Sequence, residues 1–276
     1  LIALGYTMVY GIIRMINFAH GDFIMIGAYT LFYTIPLMVN AGMPAWLSVI
    51  VAIAVCALVG VLVETFAYRP VRKAGPMSAL ITALAMSIFL ENLAMVLFGA
   101  KPHNVQAIFS LPTITVGSVA LPLNVLLTIG IGVAMMLCMQ LFVKKTKLGK
   151  AMRAVPQDKD ASTLVGINVN KIITLTFAIG SGLAAIAGVL LCSAYPTLMP
   201  TTGSMPGIKA FTAAVFGGIG SIPGAMIGGI LLGIIEIFSK AYISTQLSDA
   251  IVFAVLIVVL IVKPDGLLGK HVSEKV

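Results

Sequence analysis

The amino-acid sequence predicts an all-α protein, a polytopic transmembrane helical bundle of about 8–10 membrane segments, each needing about 20 apolar residues to cross a bilayer. Composition is the first reason. Hydrophobic residues make up 60% of the chain and charged residues 9%, too few charges for the hydrated shell of a globular protein in water. Patterning is the second: mean hydropathy is +1.11, and the apolar residues run continuously. They do not alternate with polar residues in ten-residue units as a membrane barrel requires. Helices then satisfy every backbone group within one segment.

The elements follow in chain order. Leu1 to Ile13 is apolar, residues 14–22 gather Arg14, Asn17, His20, Gly21 and Asp22, and a second apolar run covers residues 23–39. Polar groups at bilayer depth are costly, so this pattern predicts a discontinuous helix hairpin whose freed groups face protein or a watery path. Gly21 is expected to end one helix and Asp22 to cap the next; a loop between two ordinary spans is the plainer alternative. Residues 45–66, 77–98, 121–143, 172–195 and 248–262 read as spans. A second broken hairpin is expected within residues 205–240, where Gly217, Gly218, Gly220, Ser221, Pro223 and Gly224 interrupt apolar sequence. Pro223 suits the first turn of a helix that starts after Ser221. Gly220, Gly224 and Gly228, like Gly229 and Gly233, are spaced for close helix crossing. Breaks near the start of each half point, by analogy with secondary transporters, to a transport site. On that reading Asn17, His20, Gly21, Asp22, Lys209, Gly217, Gly218, Gly220 and Gly224 line a substrate path, with Lys209 either meeting a substrate carboxylate or snorkelling outward. The chain begins inside an apolar run, and its natural N-terminus is expected upstream; no basic lead or small-residue cleavage site marks a signal peptide.

Net charge is +8, yet the basic residues are placed for a membrane and not for nucleic acid. Arg69, Arg72 and Lys73 follow one span, residues 144–171 carry seven of the 17 basic residues, and Lys263, Lys270 and Lys275 lie in the tail. The intervening loops, residues 39–44, 99–120 and 195–204, hold only Lys101 and His103. Short loops rich in Lys and Arg stay cytoplasmic, which orients the chain. Trp46, Tyr68, Tyr195 and Tyr242 are expected at the headgroup layer. Cys56, Cys138 and Cys192 are scattered within apolar spans and read as small core residues, with no metal site. His20 and Asp22, two apart, supply no nucleophile, so no catalytic residue is assigned.

The polar stretch 144–171 is expected to form a cytoplasmic loop with helix punctuation. Pro156 interrupts a first helix, Asp158 or Pro156 starts a second, and Gly166 stops it in the left-handed conformation. Ala161, Leu164 and Val165 then share one side, forming a knob for a soluble partner or a face resting on anionic headgroups.

Within this loop, Gly149-Lys150-Ala151-Met152-Arg153-Ala154, Asp160-Ala161 and Leu164-Val165-Gly166-Ile167 resemble the coupling loop of inner-membrane permeases of ATP-binding-cassette importers. Ile16-Asn17-Phe18-Ala19-His20-Gly21-Asp22 and the run from Lys209 to Ala225 are similar to the branched-chain (hydrophobic) amino acid group, of the high-affinity leucine, isoleucine and valine type. The resemblance covers essentially the whole chain. It implies one permease domain over residues 1–276 in the bacterial inner membrane, and a heteromeric importer with a second homologous permease, two ATPase subunits and a periplasmic amino-acid-binding protein. ATP is then used by the partners and no cofactor is bound by this chain; no Gly-Lys-Ser or Gly-Lys-Thr nucleotide loop is present. Gly149, Arg153, Asp158, Asp160, Ala161, Leu164, Val165 and Gly166 become the ATPase-coupling set. Two other readings stay open on the residues alone: an ion-coupled carrier using Asp22, Glu64, Glu91 and Glu236, and a sugar, urea or amide permease of the same superfamily.

Overall fold

A computed structural model of the protein describes residues 1–13, 15–72, 74–106, 113–116 and 119–269. Arg14, Lys73, Lys270, Lys275 and part of the loop 99–120 lie outside the described residues. The chain forms a polytopic helical bundle, with six helical segments long and apolar enough to cross a bilayer among the described residues. The elements are α1 (Ile2–Ile13), a 3-10 turn (Phe18–His20), α2 (Asp22–Asn40), α3 (Leu47–Val63), a π turn (Glu64–Tyr68) and α4 (Arg69–Val71). After them come α5 (Pro76–Phe98), β1 (His103–Asn104), β2 (Thr113–Val116), β3 (Val119–Pro122), α6 (Leu123–Lys145), α7 (Lys147–Ala154) and α8 (Lys159–Leu164). The last are α9 (Val169–Ala194), β4 (Thr197–Leu198), α10 (Ser204–Gly217), α11 (Ile222–Tyr242) and α12 (Ser248–Val262).

The bundle is built around α9, whose Gly180, Ser181, Gly182, Ala184, Ala185, Ala187 and Gly188 are all buried. Lipid tails offer no hydrophobic drive for helices to associate, so small residues that allow close backbone approach do that work. A Cβ on Gly27 of α2 would lie 2.9 Å from Ala185 Cα, and one on Gly188 would lie 2.6 Å from the Ile24 carbonyl oxygen. On α3, Gly60 faces Ser181 in the same way. By contrast, no described residue of α6 is buried; its apolar surface is left for lipid or a partner.

Two faces emerge from the loops. On one, β1 pairs antiparallel with β4, His103 opposite Leu198, which joins the loops that carry few charges. On the other, Arg72 donates to Asn170 Oδ1 at 3.0 Å, joining two basic loops, so the sorting of loops by charge agrees with their spatial sorting. The tail belongs with α10: the Leu267 and Leu268 amides donate to the Phe216 and Gly217 carbonyls at 2.9 and 3.0 Å.

Several boundaries differ from the sequence reading. The span at 45–66 continues to Val71 through the π turn, because Glu64 and Tyr68 are buried there and not placed at the membrane surface. Glu64 is 0% exposed and pairs with Arg72, which replaces the expected snorkelling. Tyr68 is 1% exposed, whereas Trp46, Tyr195 and Tyr242 are exposed at helix ends as anticipated. Residues 119–122 join the β2–β3 hairpin instead of starting a span. Cys56 and Cys192 are buried, but Cys138 is exposed on α6.

Candidate functional site

The first break has the expected discontinuity with a different capping chemistry. Between α1 and α2 the chain makes one 3-10 turn, and Gly21 precedes the helix. Asp22 is the first residue of α2 and makes no side-chain cap bond. Its carboxylate instead turns into the bundle, 1% exposed, toward the Ser87 hydroxyl, with Oδ2 left without a hydrogen-bond partner among the described residues. His20 is equally buried. It stacks edge-on against Tyr6 at 4.6 Å, and neither ring nitrogen makes a hydrogen bond of normal geometry. Asn17 Oδ1 accepts from the Tyr68 hydroxyl at 2.6 Å.

This cluster sits at mid-depth. Ser87 lies near the middle of the span Met77–Phe98, and Gly180, whose Cβ would come 3.6 Å from His20 Cε1, near the middle of Val169–Ala194. Unpartnered polar groups at such depth cost several kcal/mol, so a functional demand is the natural reason for keeping them.

The second element at this point is the start of α10. Gly203 precedes α10 as Gly21 precedes α2, and neither end carries a side-chain cap. The two helix starts touch: a Cβ on Gly21 would meet the Gly203 carbonyl oxygen at 2.6 Å, and one on Gly207 would meet Gly21 Cα at 2.8 Å. The Ser204 hydroxyl donates to Glu91 of α5, which therefore does not snorkel. Two helix N-termini, with their partial positive charge, thus meet at two carboxylates, Asp22 and Glu91. Alongside, Tyr6, Tyr10, Ile16, Phe211, Ala214 and Ile219 line an apolar cavity of about 10 Å³ between α1 and α10, room for about one water.

The sequence reading set the α10–α11 turn beside Asp22, whereas the segment touching Gly21 is the start of α10; of the turn, Ile219 lines the cavity with Tyr6, and a Cβ on Gly11 of α1 would lie 3.5 Å from Gly220 Cα. Gly217, Gly218, Gly220 and Gly224 do interrupt the chain between α10 and α11, and Ser221 caps α11 by accepting from the Gly224 amide at 3.2 Å with Pro in the first turn. That turn, however, packs against the tail, at the far end of the 14-residue α10, about 20 Å from Gly203 at 1.5 Å per residue. Gly217, Gly224 and Gly228 make the α10–α11 crossing. Gly220 does not: its φ is +90° and a Cβ there meets nothing within 4 Å. Lys209 bonds Glu236 Oε1 at 2.8 Å and Asp249 Oδ1 at 2.7 Å, tying α10 to α11 and α12. Tyr6, Ser87, Ser204 and Gly207 of this cluster were not singled out in the sequence, and Glu91 was named there only as a carboxylate of the ion-coupled alternative. The sequence signal was Gly203-Ser204-Met205-Pro206-Gly207, a helix start rich in small residues.

The basic loop folds as two short helices. Thr146 caps α7 by accepting from the Gly149 amide at 2.9 Å, and Gly149 is buried against Phe142 and Val143, so it shapes the elbow with α6. Arg153 donates to the Lys144 carbonyl at 3.4 Å and braces the same elbow. Asp158 caps α8, accepting from the Asp160 and Ala161 amides at 2.9 Å each. Gly166, with φ +86°, closes it with bonds from Gly166 N to Thr163 O and from Ile167 N to Ser162 O, the paired pattern of a left-handed helix stop. Leu164 and Val165 stand 88% and 76% exposed, and Asp160 and Ala161 are exposed beside them.

Residues 1–260 match the family model described as branched-chain amino acid transport system / permease component. Over its full length the chain is 45% identical to the high-affinity branched-chain amino acid transport system permease protein LivH of Salmonella typhimurium, covering 92% of that protein. It is 43% identical to BraD, the corresponding permease protein of Pseudomonas aeruginosa, covering 93% of it. The ribose import permease protein RbsC of Escherichia coli is 28% identical over 59% of the chain and 52% of its own length. No solved structure matches the chain.

Proposed function

Because the chain belongs to the family of branched-chain amino acid transport system permease components, we propose that it carries branched-chain or other hydrophobic amino acids across the bacterial inner membrane as the permease of an ATP-binding-cassette importer. It is a multi-pass transport subunit and not an enzyme. In this reading a second homologous permease completes the translocation path and two ATPase subunits consume ATP. A periplasmic amino-acid-binding protein delivers substrate, and the basic face is cytoplasmic.

The observation that carries the mechanism is the meeting of α2 and α10 at mid-depth. A zwitterionic substrate leaves water only if its ammonium and carboxylate are compensated and its side chain finds apolar room. Asp22 and Glu91 suit the ammonium, the uncapped starts of α2 and α10 suit the carboxylate, and Tyr6, Ile16 and Phe211 offer the apolar lining. The cavity of about 10 Å³ is too small for any amino acid, so passage requires α1 and α10 to separate. Movement of the exposed α8 under the ATPases is the lever that selects the open arrangement.

Leucine uptake by the assembled complex in proteoliposomes tests this. Asp22→Asn keeps size and hydrogen-bonding capacity but removes the charge, and uptake falls at least tenfold while the ATPase subunits remain bound. Wild-type uptake by both Asp22→Asn and Glu91→Gln would move the substrate elsewhere.

A further inference from the structure

We propose that the groove between α3–α4 and α9 on the basic face is a binding site for the phosphate headgroup of an anionic phospholipid. The groove encloses about 490 Å³. Arg69, Asn168 and Lys171 stand at its mouth, and Val61, Leu175 and Ala178 form its floor. Arg69 lies at the last turn of the span Leu47–Val71 and Lys171 in the first turn of Val169–Ala194, so both cations sit at the membrane surface. Val61 and Ala178 lie eight and seven residues deeper, about 10–12 Å toward the bilayer centre at 1.5 Å per residue.

Charge decides what the mouth accepts. The neighbouring carboxylate, Glu64, is buried and already held by Arg72 and by the Thr174 hydroxyl at 2.6 Å. Arg72 in turn fixes Asn170 at 3.0 Å. Arg69 and Lys171 have no acidic partner among the described residues, and both are exposed. Two uncompensated cations over an apolar floor match a group with an anionic head and a hydrocarbon tail. A lipid is favoured over a free anion because the apolar surface continues outward from the mouth. Leu58 and Leu62 on α3 and Phe66 in the π turn, four residues apart, are 60%, 43% and 75% exposed and give an acyl chain a track. The leaflet on the side of Lys- and Arg-rich loops is also the anionic one, where basic pockets between helices collect lipid headgroups.

The test is native mass spectrometry of the assembled importer after exposure to equimolar phosphatidylglycerol and phosphatidylcholine, reading the ratio of lipids retained on this subunit. The wild type retains phosphatidylglycerol preferentially. Two cations near the surface correspond to a loss of roughly thirtyfold in that preference for Arg69→Gln/Lys171→Gln. Ala178→Trp, which fills the floor and leaves the charges, also lowers retention; a site for free phosphate would not notice it. If the double variant fails to assemble, Lys171→Gln alone, at an exposed position, carries the test with a loss of about fivefold. An unchanged ratio in the charge variants overturns the proposal. So does displacement of the lipid by equimolar inorganic phosphate, or protection of Lys171 from acylation by the ATPase subunits in lipid-free detergent.

Discussion

The Tyr68 hydroxyl donates to Asn17 Oδ1 at 2.6 Å, joining the π turn at the end of α3 to the break that precedes α2. Both side chains are 1% exposed, and Asn17 Nδ2 has no partner among the described residues, so this bond is what fixes the asparagine. π turns recur at functional sites because their wider turn re-aims a side chain, and here the re-aimed side chain is Tyr68. Tyr68→Phe removes the donor and keeps the ring against Phe177 at 5.2 Å. Leaving the Asn17 acceptor unsatisfied costs about 1–3 kcal/mol. A lower melting temperature with reduced leucine uptake is the expected result, measured by differential scanning fluorimetry and transport in the same preparation; unaltered values for both would show that the bond is dispensable.

The glycines separate by position. Gly207→Leu forces a side chain into Gly21 Cα, where a Cβ alone stands at 2.8 Å, and must part α2 from α10. Gly220→Ala meets open space and bears only the backbone cost of φ +90°, about 1 kcal/mol. Uptake therefore collapses for Gly207→Leu and survives for Gly220→Ala. The opposite ranking would return the substrate path to the α10–α11 turn.

Much of this arrangement was legible in the sequence because it follows from local chemistry. The span at 77–98, the apolar helix at 248–262 (at 15 residues shorter than the six spanning helices), the Ser221–Pro223 helix start and the Asp158–Gly166 helix each follow from length, capping or turn preferences of neighbouring residues. What was not legible is which distant segments meet. Nothing local in Gly203-Ser204 says that it faces Gly21-Asp22: Pro206-Gly207 marks a helix start but not what that start will meet. Glu64 shows the same limit: its position near a span end fits snorkelling equally well until Arg72 is seen to reach it.

Lys209 ties three helices together. Its bonds to Glu236 and Asp249 cross three helices, and Glu236 also takes Lys240. Lys209, Glu236 and Asp249 are 20–37% exposed, so screening limits the pair energies to about 0–1 kcal/mol each. Lys209→Met is expected to lower the melting temperature by a few degrees while the substrate concentration for half-maximal uptake stays unchanged. A large rise in that concentration, with unchanged stability, would put Lys209 back in the path.

Orientation is open to single-cysteine labelling in a background lacking Cys56, Cys138 and Cys192. Lys159→Cys on α8 should resist an impermeant maleimide applied to intact cells, and His103→Cys on β1 should react. Both positions belong to faces sorted by charge and joined internally, His103 to Leu198 and Arg72 to Asn170. Reaction at 159 with protection at 103 would invert the chain.

The coupling role proposed for α8 rests on an unusual surface. Leu164 and Val165 are almost fully exposed at the end of a helix that is well closed at both ends, by Asp158 and by Gly166. A rigid knob with apolar residues in water needs a partner to be worth keeping. Leu164→Asp leaves the fold intact, because the side chain contacts little within the chain, but places an unpaired carboxylate in the dry centre of a contact, a cost of several kcal/mol. Asp158→Ala attacks the same contact from the other direction: it removes the cap bonds, worth about 1 kcal/mol, and loosens the knob without adding charge. Membrane insertion should be normal for both. ATPase co-purification should be lost for Leu164→Asp and weakened for Asp158→Ala, with uptake following in the same order. Undiminished co-purification and uptake in Leu164→Asp would remove α8 from the energy-coupling route, whatever Asp158→Ala does.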